Sequence, residues 1–290
     1  MSNVNIVNIS TYKFVKLANL EKLKEYFLMT CKHIGMLGTI LLSNEGINIM
    51  GAGTQQQIDN FSKALKKDDR FADIVFKFSY SETVPFKRMR VRIKAEIITM
   101  GIDEVDRVLD KGQHITPAEF KQWLDEGKDI TILDTRNNYE VEFGTFENAI
   151  DPEIDNFQEF PAVVDNLDVS LQNKPLVMFC TGGVRCEKAS ILMEQKGFTD
   201  VYQIDGGILN YFEECGGAHW KGDCFVFDER IALDSELKPT GAAQCHVCGE
   251  PVNVEALELS TYIPNVCCPK CFSHTSLEKN NIKVQKQSHA

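Results

Sequence analysis

Residues 175–190 read PLVMFCTGGVRCEKAS, an apolar run that ends in a cysteine, then two glycines, an arginine and a second cysteine. The run PLVMF suits an interior strand. The following EKASILMEQKGF has helical spacing, with Ala189, Leu192 and Met193 on one face and Gly197 as its stop. Cys180 therefore sits in a loop between a strand and a helix. There the backbone N–H groups of Thr181, Gly182, Gly183 and Val184 can turn inward, and the helix N-terminus adds partial positive charge. A thiolate on Cys180, or an anion bound beside it, is stabilised in such a loop. Arg185 adds a cation, and Cys186 places a second thiol in the first helical turn.

Outward from this stretch, ITILDT at 130–135 and VYQI at 201–204 read as further strands alternating with helical segments, the pattern of a doubly wound parallel sheet. Thr116, Pro117 and Glu119 mark a helix start, with threonine as cap and proline at the first helical position. Residues 116–218 form this α/β unit. The polar, acidic stretch GIDEVDRVLDKGQHI at 101–115 reads as a linker. Residues 1–100 alternate strand and helix patterns in the order of a ferredoxin-like α+β sandwich, with helices on one side of an antiparallel sheet. Its two helices span LEKLKEYFLMTCKHIG and QQQIDNFSKALKK, and the strand IVFKFSY and the longer MRVRIKAEII close the unit. Residues 219–290 make a small Cys-rich extension whose tail after Ser276 is polar and of low complexity.

At 290 residues and 43% hydrophobic, the chain has material for two domains or a little more. No segment approaches the roughly 18 consecutive apolar residues of a membrane-spanning helix. The start MSNVNIVNIS lacks a basic region followed by an apolar one. The expectation is a soluble, cytoplasmic protein, and its ten cysteines, mostly in closely spaced pairs, read as reduced thiols rather than disulfides. The net charge of −11 is unevenly spread. Residues 1–100 carry fifteen Lys and Arg against nine Asp and Glu, a balance of +6, which leaves −17 for the remainder. KRMRVRIK at 87–94 concentrates this charge: at strand period Arg88, Arg90, Arg92 and Lys94 share one face and Met89, Val91 and Ile93 the other. A charged edge strand protected against aggregation has this pattern too, but contact with a phosphate backbone is the favoured reading.

The C-terminal segment contains CHVC at 245–248 and CPKC at 268–271, separated by nineteen residues. Two such knuckles fit a four-thiolate zinc site formed by Cys245, Cys248, Cys268 and Cys271, able to fold a piece of chain too short for its own core. Four thiolates leave no open position, so zinc here is structural. A metal-free thiol cluster is the alternative, Cys267 leaves the register of the second knuckle open, and His246 or His274 can substitute as ligand.

Other candidates are plainer. Cys31, Cys215 and Cys224 lie in no motif and read as small buried side chains, and His33, His114 and His219 have no partner that spacing identifies. Four residues separate Cys180 from Arg185, one fewer than in the phosphate cradle of cysteine phosphatases, so the loop suits sulfur or a smaller oxyanion. A sulfurtransferase carrying a persulfide on Cys180 fits the loop as well, as does a buried cysteine without chemistry. Cys186 is either a resolving thiol or the small residue that closes the loop.

DTRNNYEVEFGTFENAI at 134–150, CTGGVR and YQIDGGILNY at 202–211 together resemble a rhodanese domain. The matching positions are Asp134, Arg136, Glu140, Gly144, Ala149 and Ile150, with Cys180 as nucleophile; Thr145 stands where many members have histidine. The likeness extends further. LLSNEGIN at 41–48, FKRMRVRIKAEIITMG at 86–101, CTGGVRCEKAS and WKGDCFVFDERIAL at 220–233 together resemble the rhodanese-related, oxygen-dependent tRNA uridine hydroxylases. That resemblance implies oxidation of wobble uridine in tRNA to 5-hydroxyuridine, with molecular oxygen as co-substrate. It also implies Cys180 as the nucleophile; Arg185 and Cys186, beside it in the loop, complete the candidate catalytic set, and Arg136 with Glu140 reads as a structural ion pair within the rhodanese unit.

Overall fold

The computed structural model describes residues 6–102 and 112–274, so most of the expected linker and the whole polar tail lie outside the described residues, as does the side chain of His274. The N-terminal unit runs β1 (Ile6–Phe14), α1 (Leu20–Ile34), β2 (Leu37–Ser43), β3 (Gly46–Gly53), α2 (Gln55–Leu65), β4 (Lys77–Ser81) and β5 (Met89–Ile93). Its strands lie in the order β4-β1-β3-β2-β5. The first four make the expected ferredoxin-like sheet. Alternate residues of these strands, among them Val7, Ile9, Ile40, Leu42, Ile47 and Ile49, form one core with Phe27, Cys31, Ile58 and Phe61 of the two helices.

The sheet is not antiparallel throughout, because β5 pairs with β2 in parallel. β4 and β5 occupy opposite edges, so the connection between them crosses the sheet and brings β5 in beside β2 in the same direction. β5 is also shorter than MRVRIKAEII suggests. After Ile93 the chain leaves the sheet, the N–H of Ile97 donating to Glu45 Oε1 at 2.7 Å, and Met100 is delivered into the core of the second unit.

That unit comprises β6 (Gln113–Ile115), α3 (Pro117–Asp125), β7 (Thr131–Asp134), α4 (Asn138–Val141), β8 (Gly144–Phe146), α5 (Phe160–Asn166), β9 (Leu176–Phe179), α6 (Val184–Gln195), β10 (Val201–Ile204) and α7 (Gly207–Cys215). β6, β10, β9 and β7 form a parallel sheet in that order. Residues 113–115, expected in the linker, are therefore its edge strand. β9 divides its side chains between two cores, Leu176 and Met178 toward α5 and α6, Val177 and Phe179 toward α3 and α7, as buried parallel strands require. The start of α3 is capped as its sequence predicts, Thr116 Oγ1 accepting from the N–H of Glu119 at 3.2 Å.

Residues beyond the expected end of this unit at 218 pack back onto it. β11 (Trp220–Gly222) pairs antiparallel with β8, and the Trp220 ring meets Phe146 at 5.0 Å and Phe212 at 5.3 Å edge to face. A hairpin of β12 (Cys224–Phe225) and β13 (Ala232–Leu233) follows, then a small module with β14 (Ala243–Gln244) and β15 (Pro251–Val252). Cys245, Val252, Cys267, Cys268 and Cys271 form its own small core.

Helix α6 is not amphipathic in the expected sense. Every residue from Arg185 to Met193 is buried. The face opposite Ala189, Leu192 and Met193 is covered by the N-terminal unit, where Lys188 reaches Glu45 at 2.8 Å and Glu96 at 2.5 Å. A charged helical face is buried here because the other domain supplies its counter-charges.

Candidate active site

Cys180 follows β9 at the floor of the strand-to-helix loop and is fully buried. Gly183 takes a φ of +93°, which turns its N–H back onto Cys180 Sγ at 3.1 Å. Further hydrogen bonds to the sulfur come from the backbone of Arg185 and Cys186. Of the four amides expected to line the loop, that of Gly183 thus contacts the sulfur, and the other backbone donors are Arg185 and Cys186 in the first turn of α6. The Gly182 carbonyl faces the other way. Helix α7 closes the loop from below, and Gly207 is required there: a Cβ on it would lie 2.3 Å from the Cys180 carbonyl oxygen.

Burial by itself disfavours a Cys180 thiolate. The hydrogen bond from the Cys186 thiol, the Arg185 charge and the backbone donors outweigh it, and hold Cys180 well below the ordinary thiol range. Cys186 is shifted the other way, by burial and by the neighbouring Cys180. The Cys186 sulfur also lies 3.5 Å from Thr135 Oγ1. Burial pushes Cys31 and Cys224 up to about 12, in Cys224 despite the nearby Arg136 charge, which fits a packing role, while Cys215 is half-buried.

The expected pairing of Arg136 with Glu140 does not occur. Glu140 is fully buried and holds Arg185 through two hydrogen bonds, 2.5 Å to Nη1 and 2.7 Å to Nη2. Arg136 instead pairs with Asp134 at 2.7 Å and donates to the Gly144 carbonyl at 2.6 Å, while Thr145 Oγ1 donates to Asp134 at 3.0 Å. The reason is geometric: Asp134 and Arg136 project from one strand end, whereas Glu140, on α4, faces the cysteine loop. Glu140 keeps its charge because Arg185 outweighs the cost of burial. It also accepts from Thr181 Oγ1 at 3.2 Å, so one carboxylate orients both the loop and its arginine.

The N-terminal unit completes the site. Lys77 Nζ donates to the Gly182 carbonyl at 2.5 Å and lies 4.9 Å from the centre of the Tyr12 ring. Burial brings its ammonium down to about 8, against the opposing charges of Cys180, Glu187 and Asp205. Tyr12 in turn donates to Glu187 of α6 at 2.9 Å. Nothing in the spacing of Tyr12, Lys77 or Glu187 marks them. The one signal in the sequence is the polar alternation Asn8, Ser10, Tyr12 along β1, on a strand whose apolar face is already occupied.

Between the two units lies a cavity of about 370 Å³, within the usual range of small-ligand sites. Cys180, Thr181 and Arg185 line one side; Ser10, Tyr12, Asn48 and Lys77, on the helix-free face of the N-terminal sheet, line the other. The register of that sheet connects the cavity to the basic strand. One cross-strand row runs Lys77, Ser10, Met50, Thr39, Arg90, and the next places Arg92 beside Leu41 and Asn48. Four strand spacings put Arg90 about 19 Å from Lys77 on the same face. Arg88, Arg90, Arg92 and Lys94 are all exposed. None has an ion-pair partner among the described residues. The three histidines stay outside: His114 meets Asp205, His219 meets Asp125, and His33 is exposed on α1.

Cys245, Cys248, Cys268 and Cys271 converge, their sulfurs all within 4.8 Å of one another. Three of the separations are 3.5, 3.8 and 3.9 Å, and a tetrahedron with metal–sulfur bonds of about 2.3 Å has edges of about 3.8 Å. The register is settled, since Cys267 points its sulfur at the Thr261 carbonyl instead. The cluster can hold a metal ion.

Two family profiles match the chain, the UPF0176 acylphosphatase like domain over residues 6–97 and the rhodanese-like domain over residues 116–214. A protein of Cupriavidus taiwanensis named tRNA uridine(34) hydroxylase is 48% identical over 274 residues, covering 93% of this chain and 97% of that protein. The chain belongs to the tRNA uridine(34) hydroxylase family. A further member, from Burkholderia mallei, is 45% identical over 91% of this chain and 92% of its own length. Among solved structures, a rhodanese-like domain protein from Staphylococcus aureus is 27% identical, covering 34% of this chain and 90% of its own with a TM-score of 0.29. Among the described residues no helix is long and apolar enough to cross a membrane.

Proposed function

We propose that this member of the hydroxylase family converts uridine 34 of tRNA to 5-hydroxyuridine, using molecular oxygen and the Cys180 loop. The observation that carries the reading is the cavity between the domains, where a stabilised thiolate faces a polar sheet whose edge is a row of exposed cations with no ion-pair partner among the described residues. Arg88, Arg90, Arg92 and Lys94 hold the phosphate backbone, and the base enters the cavity. tRNA is the partner, and its modification belongs in the cytoplasm. The Cys245–Cys248–Cys268–Cys271 set holds a structural Zn2+, which orders the C-terminal module and supplies no reacting group.

Cys180 acts as the nucleophile, Arg185 and the loop amides keep it ionised, and Glu140 orients Arg185. Hydroxylation with molecular oxygen needs two electrons, and the Cys180–Cys186 pair can provide them. The C5–H of uridine, one O2, the Cys180 thiolate, the Cys186 thiol and one proton from solvent give C5–OH, one water and one disulfide, which an external thiol then reduces. The test is nucleoside mass analysis of unmodified tRNA incubated with the protein, air and a thiol reductant. 5-Hydroxyuridine at position 34, with one oxygen atom derived from labelled O2, is the expected result. Transfer of sulfur from thiosulfate to cyanide with no hydroxylated nucleoside would favour the persulfide chemistry of a sulfurtransferase instead.

A further inference from the structure

Beside the cavity runs a second space, a groove of about 700 Å³ between the basic strand and the C-terminal module. Arg88 and Arg90 line one wall, and His246, Tyr262 and Asn265 line the other. The charged residues along its base are already engaged, Asp228 with Arg230 at 2.6 Å and Glu229 with Lys87 at 3.0 Å. The groove thus presents two exposed guanidinium groups on one side and an imidazole, a phenol and a carboxamide on the other.

The groove and the cavity share a wall, because Phe86, Val226, Phe227 and Asp228 line both. Phe227 is the notable member. It is 45% exposed, its ring rests edge-on against Phe225 at 5.1 Å, and the Arg185 guanidinium lies 5.9 Å from its centre. A partly exposed aromatic side chain, with an arginine over its ring, at the junction of a cationic groove and a reactive thiolate can stack a nucleobase.

We propose that the groove is a track for single-stranded RNA: nucleotides flanking the target base lie between Arg88 and Arg90 and the module's His246, Tyr262 and Asn265, and Phe227 is the stacking platform at the corner where the target base turns toward Cys180. The proposal deepens the tRNA reading above and rests on it. It gives the Cys-rich module a recognition role, as the second jaw of the groove. Cations alone accept any polyanion, whereas stacking and uncharged hydrogen-bonding groups select unpaired bases.

The test compares the full-length protein with Phe227→Ala, Phe227→Trp and a Tyr262→Ala/Asn265→Ala double variant, with Val169→Ala, at an exposed site, as control. Binding is read with a fluorescent anticodon stem-loop RNA and with the same stem as a fully paired duplex, and thermal unfolding confirms that each variant is folded. Phe227→Ala is expected to weaken stem-loop binding about tenfold, as loss of one base stack does, and Phe227→Trp to restore it. The double variant weakens it comparably. The duplex should bind weakly and be indifferent to all of these changes. Wild-type affinity in folded Phe227→Ala and double variants, or displacement of the stem-loop by an acidic peptide as readily as by unlabelled stem-loop, would overturn the proposal. Failure of the hydroxylase reading looks different, since the stem-loop would then bind with this dependence while no 5-hydroxyuridine forms.

Discussion

Cys180 and Cys186 are six residues apart and shift in opposite directions, and that difference is the chemistry of the site. Iodoacetamide mapping by peptide mass should find Cys180 modified well below the pH at which ordinary thiols react, with Cys31 and Cys224 spared. The sign follows from the direction of the shift: the thiolate population at Cys180 persists as pH falls through the usual thiol range. Cys186→Ala removes the proton donor, so the pH at half-maximal modification of Cys180 should rise. In the same variant multiple-turnover hydroxylation should fall by at least tenfold, because the two electrons no longer come from a pair. Unaltered turnover in Cys186→Ala would reduce Cys186 to a loop-closing residue. Glu140→Gln leaves the buried Arg185 guanidinium without its counter-charge, a defect that costs about 3–5 kcal/mol when one partner of a buried pair is removed. A denaturation midpoint close to wild type in that variant would contradict the described pairing.

At the scale of single elements, β4 and β5 form the two edges of one sheet and carry the two kinds of cation. Lys77, on β4, is half-buried against the cysteine loop, and its ammonium is drawn down to about 8 from the usual 10.5. Between those two values the unfolded chain binds the extra proton and the native one does not, so stability rises with pH across that window. Lys77→Met should abolish this rise in the urea midpoint. It should also move Cys180 modification to higher pH, because a positive charge beside the thiolate is gone. Arg88 and Arg90, at the opposite edge, are exposed and contribute little to packing. Arg88→Ala/Arg90→Ala should flatten the salt dependence of tRNA binding by about 0.7 in logarithmic slope per lost contact, with unfolding and Cys180 modification unchanged. An unchanged salt slope would leave β5 as a charged, protected edge.

For the molecule as a whole, the C-terminal module depends on its four cysteines, because its own core is small. Protein prepared without chelator should carry close to one zinc per chain. Cys245→Ser/Cys248→Ser should release it and loosen the module while the aromatic cluster around Trp220 and Phe146 stays folded, as near-ultraviolet circular dichroism can follow. Metal-free protein from such a preparation would count against a zinc site.

The strand–loop–helix around Cys180, the parallel sheet, the ferredoxin-like order of the first unit and the pairing of CHVC with CPKC were all legible in the sequence, because each rests on local periodicity, turn residues or ligand spacing. So was the basic face of 87–94, since a strand's two-residue period holds wherever the strand lies. What local rules leave open was decided by long-range contact. The partner of Glu140 depended on how α4 faces the loop, and the burial of α6 on every side depended on the domain that covers it. Lys77 and Tyr12 joined the site only because two sheets, more than a hundred residues apart in the chain from Lys77 to Gly182, met across one cavity. Spacing along a chain predicts which side chains share a face of one element. Which faces meet is set by the packing of whole domains, where buried charges must find partners that the local sequence does not contain.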